Sequence, residues 1–92
     1  MSAHDQATEV AAFICVHVFD ATRPVLLVAR EHGDWMFLCG QKHTSDDDYR
    51  MAGRNHLLDR DQTLNQVLDL GDGYEAARKV VGGPWVRRIL SD

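Results

Sequence analysis

Val25-Leu26-Leu27-Val28-Ala29-Arg30-Glu31-His32-Gly33-Asp34-Trp35-Met36-Phe37-Leu38-Cys39 decides the fold. Two apolar runs of strand length, residues 25–30 and 35–39, flank the polar link Glu31-His32-Gly33-Asp34. Apolar runs this short, separated by turn residues with a glycine, read as two strands of a β-hairpin. Pro24 stands where a strand can begin without losing a ladder donor.

Upstream, residues 10–19 read as a further strand. Val10, Ile14, Val16 and Val18 occupy one set of positions, and Phe13, Cys15 and Phe19 fall in the alternate register. With both registers apolar, the strand is expected to be central and covered on both faces. Asp20-Ala21-Thr22-Arg23 supplies the turn to the hairpin. The three segments together read as an antiparallel meander.

Downstream the pattern changes. Residues 40–54 are polar and carry Asp46-Asp47-Asp48, a surface loop at the upper end of the usual length range. Residues 55–58 read as a short strand. Asp61 is placed to cap a helix, because its carboxylate can accept the free N–H groups of a first turn. Leu64, Val67 and Leu68 then give one apolar stripe. Gly71-Asp72-Gly73 ends that element. In residues 74–80, Ala, Glu, Arg and Lys favour helix, but Tyr74, Ala76, Arg78 and Val80 alternate. Val81-Gly82-Gly83-Pro84 is a strong turn, and Trp85, Arg87 and Ile89 alternate after it. A hairpin is the preferred reading. The expected fold is α+β: a mainly antiparallel sheet, meander plus C-terminal hairpin, with one short helix packed on it. Residues 10–90 are expected to form a single domain and residues 1–9 a flexible N-terminal segment.

Composition supports one small globular unit. The chain has 92 residues, of which 45% are hydrophobic, and 14 acidic against 10 basic side chains give a net charge of −4. Disorder is excluded by that balance. A membrane helix needs about 20 consecutive apolar residues, and the apolar runs here are strand-sized. The start of the chain lacks the basic-then-apolar pattern of a secretory signal, so a cytoplasmic location with both cysteines reduced is expected. The acidic balance argues against general nucleic-acid binding, which needs a positive face. Arg78, Lys79, Arg87 and Arg88 form the one basic group, read as a solvated flank of a strand pair.

Chemistry concentrates after the third strand. Cys39, His43, His56 and one of Asp46, Asp47 or Asp48 can supply four ligands to zinc, whose tetrahedral shell suits thiolate, imidazole and carboxylate. Alternatively, Cys39 is a nucleophile with His43 or His56 as its base. The plainer reading makes Cys39 a buried strand residue and the histidines polar loop groups. Asp46, Asp47, Asp48 and Tyr49 are candidate contacts to a basic protein partner, where complementary charge speeds encounter. Trp35 and Trp85, both near turns, read as core. The chain has no P-loop, GxGxxG, GxSxG or HExxH.

The string Trp35-Met36-Phe37-Leu38-Cys39-Gly40, followed by His43 and the acidic loop, resembles a group of small bacterial proteins of unknown function. His56-Leu57-Leu58, Arg60-Asp61, Leu64, Asp69-Leu70, Gly73-Tyr74-Glu75-Ala76 and Gly83-Pro84-Trp85 extend the likeness over residues 10–88. Some of that group are classed with predicted immunity proteins of polymorphic toxin systems. The resemblance implies an α+β fold and brings no catalytic residues. The leading expectation is therefore a non-enzymatic protein-binding module that occludes a toxin partner. A metal-binding or thiol-dependent enzyme at Cys39, His43 and His56 is the alternative. A homodimer formed through an exposed sheet edge is a third.

Overall fold

The computed structural model describes residues 10–40 and 49–90. Residues 1–9, His43 and Asp46, Asp47 and Asp48 lie outside them.

The hairpin forms as its sequence predicts. β2 (Leu27–Glu31) and β3 (Asp34–Leu38) pair antiparallel, with Glu31 opposite Asp34. Both link residues have positive φ, His32 at 55° and Gly33 at 83°. This is the two-residue hairpin geometry whose twist matches that of paired strands. Gly33 adopts it freely, whereas His32 bears the steric cost of a Cβ in the left-handed region.

The other strands are β1 (Ala11–Cys15), β4 (Tyr49–Gly53), β5 (Tyr74–Ala77) and β6 (Val86–Ile89). The six-stranded sheet runs β4-β1-β3-β2-β5-β6. The fold is α+β and mostly antiparallel, and the C-terminal hairpin β5–β6 is present as expected. The meander is not. β1 lies on the far side of β3 from β2 and pairs with β3 in parallel, placing Ile14 beside Phe37. The sheet is therefore mixed.

β1 is also shorter than expected. The chain leaves the strand after Cys15 and makes one helical turn, α1 (Val16–Phe19). The Asp20 N–H donates to the Val16 carbonyl at 2.9 Å, and the Thr22 N–H and hydroxyl both donate to the His17 carbonyl at 2.9 and 3.2 Å. These donors outweigh the β preference of Val16 and Val18. The long polar loop contains an edge strand, β4, at its end. The strand expected over residues 55–58 is instead part of a helix, α2 (Arg54–Arg60), which buries Leu57.

Asp61 caps the next element as expected, accepting from the Thr63 N–H at 3.0 Å. That element, η1 (Gln62–Val67), is a 3-10 helix rather than an α-helix. Its apolar period explains this. Leu64, Val67 and, just beyond it, Leu70 are each about fully buried, and a spacing of three stacks side chains on one edge of a three-residue turn.

Strand alternation separates the two sheet faces. Ala12, Ile14, Val28, Trp35, Phe37 and Ala76 share one face and are buried with Leu57, Leu64, Val67 and Leu70 in a single core cluster. Full burial of Phe37 or Ile14 is worth about 1.5–3 kcal/mol each. Trp35 stacks on Phe37 with centroids 5.8 Å apart, and the guanidiniums of Arg30 and Arg54 approach its ring.

Of the basic group, Lys79, Arg87 and Arg88 are exposed, but Arg78 is not a solvated residue. Arg78 is buried. Its Nε and Nη2 donate to the Val25 carbonyl, its Nη1 to Thr63 Oγ1 at 2.7 Å, and its Nη2 to Asp61 Oδ2 at 2.8 Å. It also lies over the half-buried Trp85 ring, 4.2 Å from the centroid. Arg87 pairs with Asp69 and Arg88 with Glu75 at the surface.

Candidate functional site

β1 and β3 run parallel and side by side, so their carboxyl ends meet. Cys15 is the last residue of β1, His17 belongs to the turn that follows, and Cys39 is the first residue beyond β3. Sγ of Cys15, Sγ of Cys39 and a ring nitrogen of His17 all lie within 4.8 Å of one another. Cys39 Sγ is 3.7 Å from His17 Nδ1. Both cysteines are buried and neither is in a disulfide, and His17 is half-buried.

The local fold holds these groups in place. The Thr22 bonds to the His17 carbonyl fix the turn that carries the imidazole. Gly40 follows Cys39 with φ of +88°, a conformation that a side chain would strain, and turns the chain out of the sheet end. Burial pushes the Cys15 thiol up. The backbone amides of Val18 and Cys39 favour its thiolate but do not offset burial. As a thiol, Cys15 is therefore neutral and poorly nucleophilic.

Among the described residues singled out from sequence, only Cys39 joins this cluster. His56 is exposed on α2 and is not part of it. Of the expected grouping Cys39–His43–His56, Cys39 lies in the cluster, His56 does not, and His43 lies outside the described residues. Cys15 and His17 were hidden because they sat inside a presumed ten-residue strand. Their one-residue spacing at an apolar segment's end was the available signal.

A second feature concerns the other sheet face. Met51, Phe13 and Met36 stand opposite one another across β4, β1 and β3, and this row continues through Ala29 to the Glu75–Arg88 pair. Phe13, Leu27 and Met36 are half-buried, and Met51 and Val86 are exposed. Tyr49 lies on this face by its pairing with Cys15 and packs in part against the core.

A half-open cavity of about 380 Å³ lies elsewhere, between the α1 turn and η1, lined by Thr22, Val25, Leu57, Arg60, Asp61 and Leu64 among others. Two of its charged groups are engaged within the fold, Asp61 with Arg78 and Arg60 with the Val18 carbonyl, and Arg23 also lines it. Among the described residues, no helix is long and apolar enough to cross a membrane. Comparison with family models, curated proteins and solved structures gave no match.

Proposed function

We propose that the chain is a non-enzymatic binding module that engages a basic protein partner with the sheet face opposite its helices. The apolar row Met51–Phe13–Met36 carries this reading. A strand face turned away from the core normally carries polar residues, and this one carries large apolar side chains with Met51 57% exposed. Apolar side chains at the centre and charge at the rim are how a protein interface divides its labour.

The choice of a basic partner rests on charge. The chain carries −4, and Asp46, Asp47 and Asp48 immediately precede Tyr49, the first residue of the edge strand on that face. Toxin occlusion is the concrete form of this function that the sequence resemblance implies. Its mechanism is steric cover of the partner's active surface, steered by opposite charge.

The test is co-purification with the product of the adjacent gene, followed by calorimetry. A stoichiometric complex is expected, weakened by salt, by Met51→Asp and by serine at Asp46, Asp47 and Asp48 together. Met51 is exposed on an edge strand, so its substitution leaves the core intact. A complex indifferent to both changes, or no complex, overturns the reading.

A further inference from the structure

We infer that Cys15, His17 and Cys39 form a binding site for a thiophilic divalent metal ion, with zinc the best fit. Three observations lead there, and none depends on the partner-binding face.

The first is distance. Zinc–sulfur bonds of about 2.3 Å and zinc–nitrogen bonds of about 2.0–2.1 Å at tetrahedral angles set ligand-to-ligand edges of about 3.6–3.8 Å. Cys39 Sγ and His17 Nδ1 are 3.7 Å apart, and all three ligand atoms fit within 4.8 Å. Closing the widest edge takes about 1 Å, within the reach of a small χ1 adjustment.

The second is donor chemistry. Two thiolates and an imidazole select zinc-class ions over magnesium or calcium, which take oxygen ligands. Binding is also balanced in charge. The divalent ion displaces one proton from each thiol, two protons leave to solvent, and two thiolates neutralise the ion. No electron changes hands. The product is neutral, so the site holds no uncompensated buried charge.

The third is construction. The three ligands come from two parallel strand ends and one bonded turn, so their spacing is set by sheet register rather than by a wandering loop. His17 is half-buried while both sulfurs are covered, so the imidazole edge is the side from which an ion enters.

The experiment uses the full chain without an affinity tag, kept reduced, stripped with a chelator and titrated with cobalt(II) and then zinc(II). One ion per chain is expected, with thiolate-to-cobalt charge-transfer absorption that zinc abolishes. Loss of an outer contact to a metal ligand costs 10–100-fold in affinity, so Cys39→Ser, which removes a ligand itself, should cost more than about 100-fold. His56→Gln should leave affinity unchanged. Should the Cys39 variant fail to fold, X-ray absorption on the zinc-loaded unaltered chain decides, with two sulfur scatterers expected. Saturating cobalt without a charge-transfer band, a zinc shell of nitrogen and oxygen only, or a folded Cys39→Ser that binds zinc as tightly as the unaltered chain overturns the inference.

Discussion

Two polar centres share one end of the sheet and treat burial in opposite ways. The end of β3 pairs with the start of β2, and that with the end of β5. Arg78 follows β5, whereas Cys39 follows β3. Arg78 is a permanent charge that the fold has satisfied: every guanidinium nitrogen has a partner, and Asp61 supplies the countercharge. Cys15, His17 and Cys39 are gathered within 4.8 Å of one another with no permanent charge among them such as Arg78 carries. The first centre is complete in the protein alone and belongs to stability. The second gathers three ligand atoms within reach of one cation.

The comparison breaks most severely at Asp61. Removing one partner of a buried ion pair leaves the other charge uncompensated, at about 3–5 kcal/mol. The Arg78 side chain is fully buried and Asp61 mostly so, with 20% of its side chain exposed. Asp61→Ala also deletes the η1 cap. We expect a loss of at least about 3 kcal/mol, which at about 4–8 °C per kcal/mol for a domain of this size lowers Tm by more than about 12 °C. Calorimetry on the metal-free chain checks it. A loss under about 1 kcal/mol means that Arg78 finds other compensation.

The second centre responds to metal instead. Zinc held 100-fold above its dissociation constant should add about 2.7 kcal/mol to stability by linkage. The same zinc should add an equal increment to the Asp61→Ala chain, because the two centres share no ligand. Thermal melts of both chains, with and without zinc, measure this. An increment that differs between them by more than about 0.5 kcal/mol shows that the centres are coupled.

This contrast was half legible in the sequence. Asp61 declared itself as a cap, because a carboxylate before an apolar stripe has a local meaning. Arg78 did not, since its partners lie 15, 17 and 53 residues away in the chain, and a basic residue beside Lys79 looks solvated. The hairpin was readable for the same local reason as Asp61. The place of β1 was not. In a meander, β1 and β3 are also parallel but stand two strand spacings apart, about 9.6 Å; here they are neighbours, at about 4.8 Å. That difference, invisible to periodicity, is what brings Cys15 to Cys39. The same hidden pairing made β4 look like loop. Arg50 and Gly53 break up its three apolar residues, and it is a strand because β1 offers it a free edge.

Acid should separate the two centres again, with a smaller effect. Burial pushes the Asp61 carboxyl up, but the hydrogen bonds from Thr63 and Arg78 outweigh it and hold the group below its ordinary value. A depressed folded-state pKa means that the unfolded chain takes up the proton first. The stabilisation is complete above the unfolded value of about 3.9 and is lost as pH falls below it toward the folded value. Denaturant unfolding between pH 6 and 3 should show this loss, and Asp61→Asn should flatten the curve in that window. A curve of the same shape in the variant assigns the acid limb to other carboxylates.

The smallest expected effect comes from the hairpin that sets the register of both centres. His32 holds φ of 55° in an exposed turn, where a left-handed residue bearing a side chain costs about 1–2 kcal/mol and asparagine tolerates the conformation best. His32→Asn should therefore stabilise the chain by about 0.5 kcal/mol. β2 carries the Arg78 side of the sheet and β3 the Cys39 side, so a gain made at their turn serves both equally. The zinc increment and the acid midpoint should stay where they were while Tm rises. A change in either one would show that the turn sets the geometry of that centre as well as its stability.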